Sequence, residues 1–260
     1  MELGLYLLLG AAAGVLAGLF GVGGGMIIVP VLVLSFTAQG FDPLVLTHLA
    51  VGTSLATIIF TSINSVVEHH HRGAVRWPVF AWMTLGIIFG AGLGSLTAAA
   101  IQGPLLLRII GVFAILVSLQ MALDIRPKAS SAVPGRLGLG AAGGLIGWAS
   151  AIFGIGGGSL SVPFLVWRSL SMQQAVATSA ACGLPIAAAG ALSFIWLGWD
   201  NPQLPEWSLG FVYLPALAGV ACTSMFFARL GARLAHRLSP LLLKRLFALL
   251  LFGVGLNFLI

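Results

Sequence analysis

Apolar runs separated by short polar or turn-forming segments fill the chain, covering approximately 5–36, 44–67, 77–101, 105–124, 137–168, 172–198, 208–235 and 241–260. Continuous runs predict helices, and about 20 apolar residues is what a helix needs to cross a bilayer. A β-barrel would show alternating segments of about ten residues instead. The first and fifth runs are broken near their middles by glycine-rich stretches, Phe20-Gly21-Val22-Gly23-Gly24-Gly25 and Phe153-Gly154-Ile155-Gly156-Gly157-Gly158. The pattern predicts an all-α polytopic membrane protein.

The two stretches are copies, and a proline follows each at the same distance, Pro30 and Pro163. Two weaker matches keep the same order: Val51-Gly52-Thr53-Ser54 with Val176-Ala177-Thr178-Ser179, and Pro104-Leu105-Leu106-Leu107-Arg108 with Pro240-Leu241-Leu242-Leu243-Lys244. Spacing between copies drifts only by loop-length amounts. Internal repetition of this kind marks a duplicated unit. The expected organisation is a first repeat over 1–125, a cytoplasmic linker over 126–135 and a second repeat over 136–260.

Lysine and arginine placement tests the topology, because cytoplasmic loops carry the excess. If all eight runs crossed, the 12 basic residues would divide five against seven. If the two glycine-broken runs instead fold back as re-entrant hairpins, eleven of the 12 lie inside and only Arg108 lies outside. Length agrees: residues 5–20 make about 24 Å of helix and 26–36 about 17 Å, each short of a core of about 30 Å. Each repeat then has one hairpin and three crossings. An odd number of crossings inverts the second copy, puts both termini outside and brings the glycine tips together near the midplane. Inverted repeats with interrupted helices meeting at mid-bilayer are the plan of many secondary transporters.

Backbone that leaves the helix inside a bilayer persists only where it is buried in protein or lines a wet cavity. A half-helix starts at each tip, its first N–H groups lack intrahelical partners, and its dipole presents positive charge. Such an end attracts anions, and glycine lets an oxyanion reach the main chain. Gly21, Gly23, Gly24 and Gly25 with Gly154, Gly156, Gly157 and Gly158 are therefore candidate substrate-binding residues. Thr53, Ser54, Thr178 and Ser179, in the crossing after each hairpin, and Ser159, beside the second tip, are candidates to complete the anion's hydrogen bonds. The half-sites are unequal, since Met26 occupies the position of Ser159. Gly14, Gly18, Gly86, Gly90, Gly94 and Gly147 read as packing residues for close helix crossing.

Composition narrows the chemistry further. With 59% apolar and 7% charged residues the chain cannot be a soluble domain, for which about a quarter charged is usual. The net charge of +6 reflects cytoplasmic loops rather than nucleic-acid binding. Met1-Glu2-Leu3-Gly4 lacks the basic start of a cleaved signal peptide and reads as part of a retained segment. Cys182 and Cys222 lie inside apolar runs, as packing residues. Glu68-His69-His70-His71-Arg72 reads as a cytoplasmic interfacial loop rather than a metal site, because consecutive positions do not share a helix face. His48 reads as a residue of the outer interface, and Trp77, Trp82, Trp199 and Trp207 as an aromatic belt. All six acids sit at segment ends or in loops, leaving no buried acidic proton relay. Export does not require one: an interior negative by about 100 mV favours expulsion of one negative charge by about 2.3 kcal/mol. No cofactor, metal or catalytic residue set is expected; the partners are a small anionic substrate and the lipid bilayer.

Two related halves, each opening with the glycine-rich run and its proline, followed by the Thr-Ser pair and a glycine-rich third segment, resemble the TauE/SafE sulfite exporter family over essentially the whole chain. The doubled run at Phe20–Gly25 and Phe153–Gly158 is the most specific part of that likeness. The resemblance implies transport of sulfur-containing anions, such as sulfite or organosulfonates like sulfoacetate, usually outward across the bacterial cytoplasmic membrane. It agrees with the reading of the tips: three oxygens over a compact charge suit convergent N–H and hydroxyl donors. A channel-like anion pathway and a membrane scaffold whose glycines only pack helices are the competing readings.

Overall fold

The computed structural model describes residues 2–20, 25–71, 73–123, 134–235 and 240–260. Within them lie α1 (Glu2–Phe20), α2 (Gly25–Ala38), α3 (Pro43–His71), α4 (Trp77–Ala100), α5 (Gly103–Ala122), α6 (Arg136–Phe153), α7 (Gly158–Trp167), α8 (Met172–Leu197), β1 (Ser208–Leu209), β2 (Val212–Tyr213), α9 (Leu214–Ala235) and α10 (Pro240–Leu259). The chain is an all-α polytopic membrane protein: α3, α4, α5, α6 and α8 are each long and apolar enough to cross a bilayer.

Turn chemistry sets the boundaries. Asp42 accepts the Leu44 N–H at 2.9 Å and starts α3 ahead of Pro43. Proline in the first turn opens α4 and α5, where its missing N–H forfeits nothing. Ser171 caps α8 by accepting from the Gln174 N–H. The run 208–235, expected as one apolar segment, departs from that reading at its start. Residues 208–213 form a two-stranded antiparallel ribbon pairing Ser208 with Tyr213 and Leu209 with Val212. Gly210 makes its turn at φ +54°, and a Cβ there would run into the Ile195 carbonyl.

Helices α3 and α8 occupy the centre and run antiparallel, Leu55 lying against Gly190 and Ser62 against Gly183. α5 and α10 also pair antiparallel, Gly111 meeting Gly255 and the Ser118 hydroxyl donating to the Ala248 carbonyl at 2.7 Å. Two further pairs run parallel. In one, Gly86, Gly90 and Gly94 of α4 rest on the backbone of Gly140, Gly144 and Trp148 of α6. In the other, Gly10 and Gly14 of α1 rest on Val220 and Ser224 of α9. These glycines let the backbones approach where no hydrophobic force drives association, as expected for Gly14, Gly86, Gly90, Gly94 and Gly147; the side of the helix at Gly18 lies outside what is described.

The glycine-broken runs fold back on themselves. The Tyr6 hydroxyl near the start of α1 donates to Gln39 Oε1 at 2.9 Å, just past the end of α2. α6, at 18 residues, exceeds the short arm expected of a hairpin and is long enough to cross by itself. Its partner α7, of 10 residues, nevertheless leads back to the end where α6 began. That end is marked by Arg136 stacked 5.0 Å over Trp82 of α4, and by the Arg76 N–H donating at 3.0 Å to Thr178 of α8. The linker 126–135 lies outside the described residues apart from Pro134 and Gly135.

Candidate functional site

The second glycine run leaves the helix for a physical reason visible in its dihedrals. Gly154 ends α6 in the left-handed region, φ 65° and ψ 32°, with its N–H on the Ser150 carbonyl. Ile155 donates to the same carbonyl at 3.0 Å. Gly157 starts α7, also left-handed at φ 77°, and its carbonyl accepts the N–H groups of Leu160 and Ser161. Left-handed backbone is strained for residues with a Cβ, so glycine is required at both positions. The main-chain N–H groups of Gly156, Gly157, Gly158 and Ser159 have no hydrogen-bond acceptor among the described residues.

Of the first run, Gly21, Gly23 and Gly24 lie outside the described residues, while Gly25 is buried and opens α2. Gly25 touches the second tip. A Cβ there would stand 2.7 Å from both the Gly154 carbonyl oxygen and the Ile155 Cα, and 2.9 Å from Ile58 Cδ1. Residues of the two glycine runs therefore meet, beside the middle of α3.

The hydroxyl pairs divide by role. Thr53 Oγ1 accepts the Tyr213 N–H at 2.9 Å, just before α9, and Thr178 Oγ1 accepts the Arg76 N–H at 3.0 Å, just before α4. Each threonine therefore spends an acceptor position on anchoring the start of another helix. Ser54 donates to the Gly154 carbonyl at 2.9 Å, tying α3 to the second tip. Its counterpart Ser179 is buried with no partner among the described residues, as is the Ser159 hydroxyl.

Ser150 and Ser161 were not singled out from sequence. Both are fully buried, and their hydroxyls have no partner among the described residues. They converge on Gly157: a Cβ there would stand 3.3 Å from Ser161 Oγ and 3.8 Å from Ser150 Oγ. The signal available was a serine one turn to either side of the second glycine run, where the first has Ala17 and Ile28. Across from them, Gly183 and Ile186 of α8 close on Gly156 and Gly157. A cavity of about 20 Å³ lies beside the meeting point, lined by Gly25, Met26, Phe113, Phe153, Ile155 and Leu251 among others. Its walls are apolar.

Two histidine expectations need correction. His48 is buried, not at a solvated interface: its Nε2 faces the carbonyls of Ala98 and Ile101 at 3.0 and 3.1 Å. Carbonyls only accept, so Nε2 carries the proton and ties the start of α3 to the end of α4. His69, His70 and His71 are the last turn of α3 rather than a loop, with His70 against the Trp77 ring. Trp77, Trp82, Trp199 and Trp207 are exposed, as an aromatic belt requires.

An apolar bundle whose broken helices meet by their glycine ends, with main-chain donors there that have no acceptor among the described residues, has the construction of a multi-pass membrane transporter. The chain belongs to the sulfite exporter TauE/SafE family, whose profile matches residues 6–258. A probable membrane transporter protein of Haemophilus influenzae is 39% identical over 97% of this chain and 96% of its own length. One of Methanocaldococcus jannaschii is 30% identical over 97% of this chain and 93% of its own. Another, YdhB of Bacillus subtilis, is 25% identical over 89% of each. No solved structure matches the chain.

Proposed function

We propose that this transporter exports a small sulfur-containing oxyanion, sulfite or an organosulfonate such as sulfoacetate, across the bacterial inner membrane, through a midplane site made by the two glycine tips. The observation that carries the reading is the contact of Gly25 with Gly154 and Ile155, one residue run from each half, beside the N–H groups of Gly156–Ser159, which have no acceptor among the described residues. In an apolar bundle a cluster of donors without acceptors suits a ligand made of acceptors.

The halves 1–125 and 136–260 are inverted copies, and exchange of helix partners supports this. Matching the glycine runs pairs α1 with α6, α3 with α8, α4 with α9 and α5 with α10 as counterparts. α1 packs on α9 as α6 packs on α4, both pairs parallel, while α3 with α8 and α5 with α10 pack antiparallel. A two-fold axis in the membrane plane relates such contacts. It leaves both termini outside and eleven of the 12 basic residues inside. Ile186 and Gly183 closing over the second tip favour a carrier that alternates between two packings over an open channel.

Purified protein in sealed vesicles tests this. An imposed potential of about 100 mV should drive saturable sulfite efflux from the negative side, favoured by about 2.3 kcal/mol per net negative charge carried. Electrically silent vesicles with every sulfur oxyanion would overturn the reading and leave a scaffold role.

A further inference from the structure

Resting on that reading, we infer that within the site where the two tips meet the anion's side-chain hydrogen bonds come from the second hairpin, and that Ser150 and Ser161 are the residues that donate them. Three observations converge on Gly157. The Ser150 and Ser161 hydroxyls are fully buried, have no partner among the described residues, and stand 3.8 and 3.3 Å from the position a Cβ on Gly157 would take. The N–H groups of Gly156, Gly157, Gly158 and Ser159, at the N-terminus of the 10-residue α7, have no acceptor among the described residues. Three neighbouring carbonyls are already occupied, Gly154 by the Ser54 hydroxyl, Ser150 by two N–H groups, and Gly157 by those of Leu160 and Ser161, while those of Ile155 and Gly156 have no donor among the described residues. What remains unspent at this point is mostly donors.

A buried hydroxyl without a partner is destabilising, by the full desolvation of the group. Two at one glycine, beside four N–H groups without an acceptor among the described residues, are accounted for together by a ligand with several acceptor oxygens and no need of a cationic side chain. An oxyanion of sulfur has that chemistry. The first hairpin cannot provide an equal site. The positions of Ser150, Ser159 and Ser161 are Ala17, Met26 and Ile28 there, none of which carries a side-chain donor. Gly25, at the start of α2, packs instead on the second run at Gly154 and Ile155. Glycine at 157 has a double role: it permits the left-handed turn and keeps a Cβ out of the space between the two hydroxyls, where Ile186 Cδ1 must swing aside for an oxygen atom to enter.

The test uses full-length protein, with sulfite as the probe, in two measurements: thermal stability with and without sulfite, and sulfite flux in vesicles. Ser150→Ala and Ser161→Ala should each raise the KM or apparent Kd for sulfite about tenfold or more, as expected for losing a hydrogen bond to a charged group. Their melting temperatures without sulfite should hold or rise, because each change removes an unsatisfied buried hydroxyl; the sulfite-dependent shift should shrink. Ser161→Cys, of similar size but a weaker donor, should fall between. Ser95→Ala, which removes a buried hydroxyl bonded within its own helix, is the control and should leave KM unchanged. If wild type responds to sulfite and both serine variants match it in KM and in thermal shift, this inference is overturned while the proposed function stands. A fall in ligand-free melting temperature with unchanged KM overturns it equally, since the hydroxyls are then structural. A wild type indifferent to every sulfur oxyanion overturns both.

Discussion

Gly157→Val is expected to abolish transport, lowering flux by about a hundredfold or more, while the protein still reaches the membrane. Position 157 sits at φ 77°, where a Cβ would stand 2.5 Å from Ile186 Cδ1 and 3.3 Å from Ser161 Oγ. The left-handed backbone alone costs a residue with a Cβ about 1–2 kcal/mol, and β-branching aggravates it. The added methyl groups would also crowd the donors of α7, so that even a tolerated fold would lose the binding proposed there. A hundredfold loss corresponds to only about 2.7 kcal/mol, well within what strain and blocked binding supply together. Gly157→Ala should give a smaller loss, because it adds strain with less bulk. Flux per unit of protein retained in the membrane is the measurement.

Gly90→Val is expected to act at a different level, on folding itself. Its Cβ would overlap the Gly144 carbonyl oxygen, with the Gly144 carbonyl carbon at 2.8 Å and Cα at 2.9 Å. Backbone cannot swing aside as a side chain does, so α4 and α6 must separate along the whole seam that also includes Gly86 and Gly94. Yield and melting temperature of the detergent-purified protein should both drop sharply. Gly92→Val is the comparison that isolates this cause. It lies on the same helix, two residues away, with nothing within 4 Å of its Cβ position, and should be tolerated.

Much of this architecture was legible because glycine and proline act locally. Runs of glycine that lower helix propensity break the first and fifth apolar segments where the helices do end, at Phe20 and Phe153, and restart them at Gly25 and Gly158. Prolines 78 and 104 mark helix starts for the same reason. Glycines at four-residue spacing on α4 announced a packing face before any partner was known.

What could not be read depends on residues distant in sequence. Nothing near Thr53 indicates that its oxygen accepts an N–H from Tyr213, or near Thr178 that it meets Arg76. Both pairs therefore looked like ligand groups, although each anchors the start of another helix. His48 looked interfacial because it lies near a segment end, but α4 covers it and its Ala98 carbonyl accepts the ring N–H. Ser150 and Ser161 resembled ordinary serines tolerated in helices. Only the turn at Gly154–Gly157, which folds α7 back beside α6, brings them to one glycine. Residues 208–213 were absorbed into an apolar run because Phe211, Val212 and Tyr213 are buried, yet their burial is under a turn rather than along a helix.

Alternating exposure of the second tip is the claim on which the transport account depends, and cysteine accessibility reads it directly. With Cys182 and Cys222 replaced by alanine and serine, Ser159→Cys would carry the one thiol, beside Gly158 at the start of α7. In sealed vesicles of known orientation, a membrane-impermeant thiol reagent should label this residue when added to either face, and sulfite should slow labelling from both. Labelling from neither face, or labelling indifferent to sulfite, would contradict a solute site at the meeting point of the glycine tips.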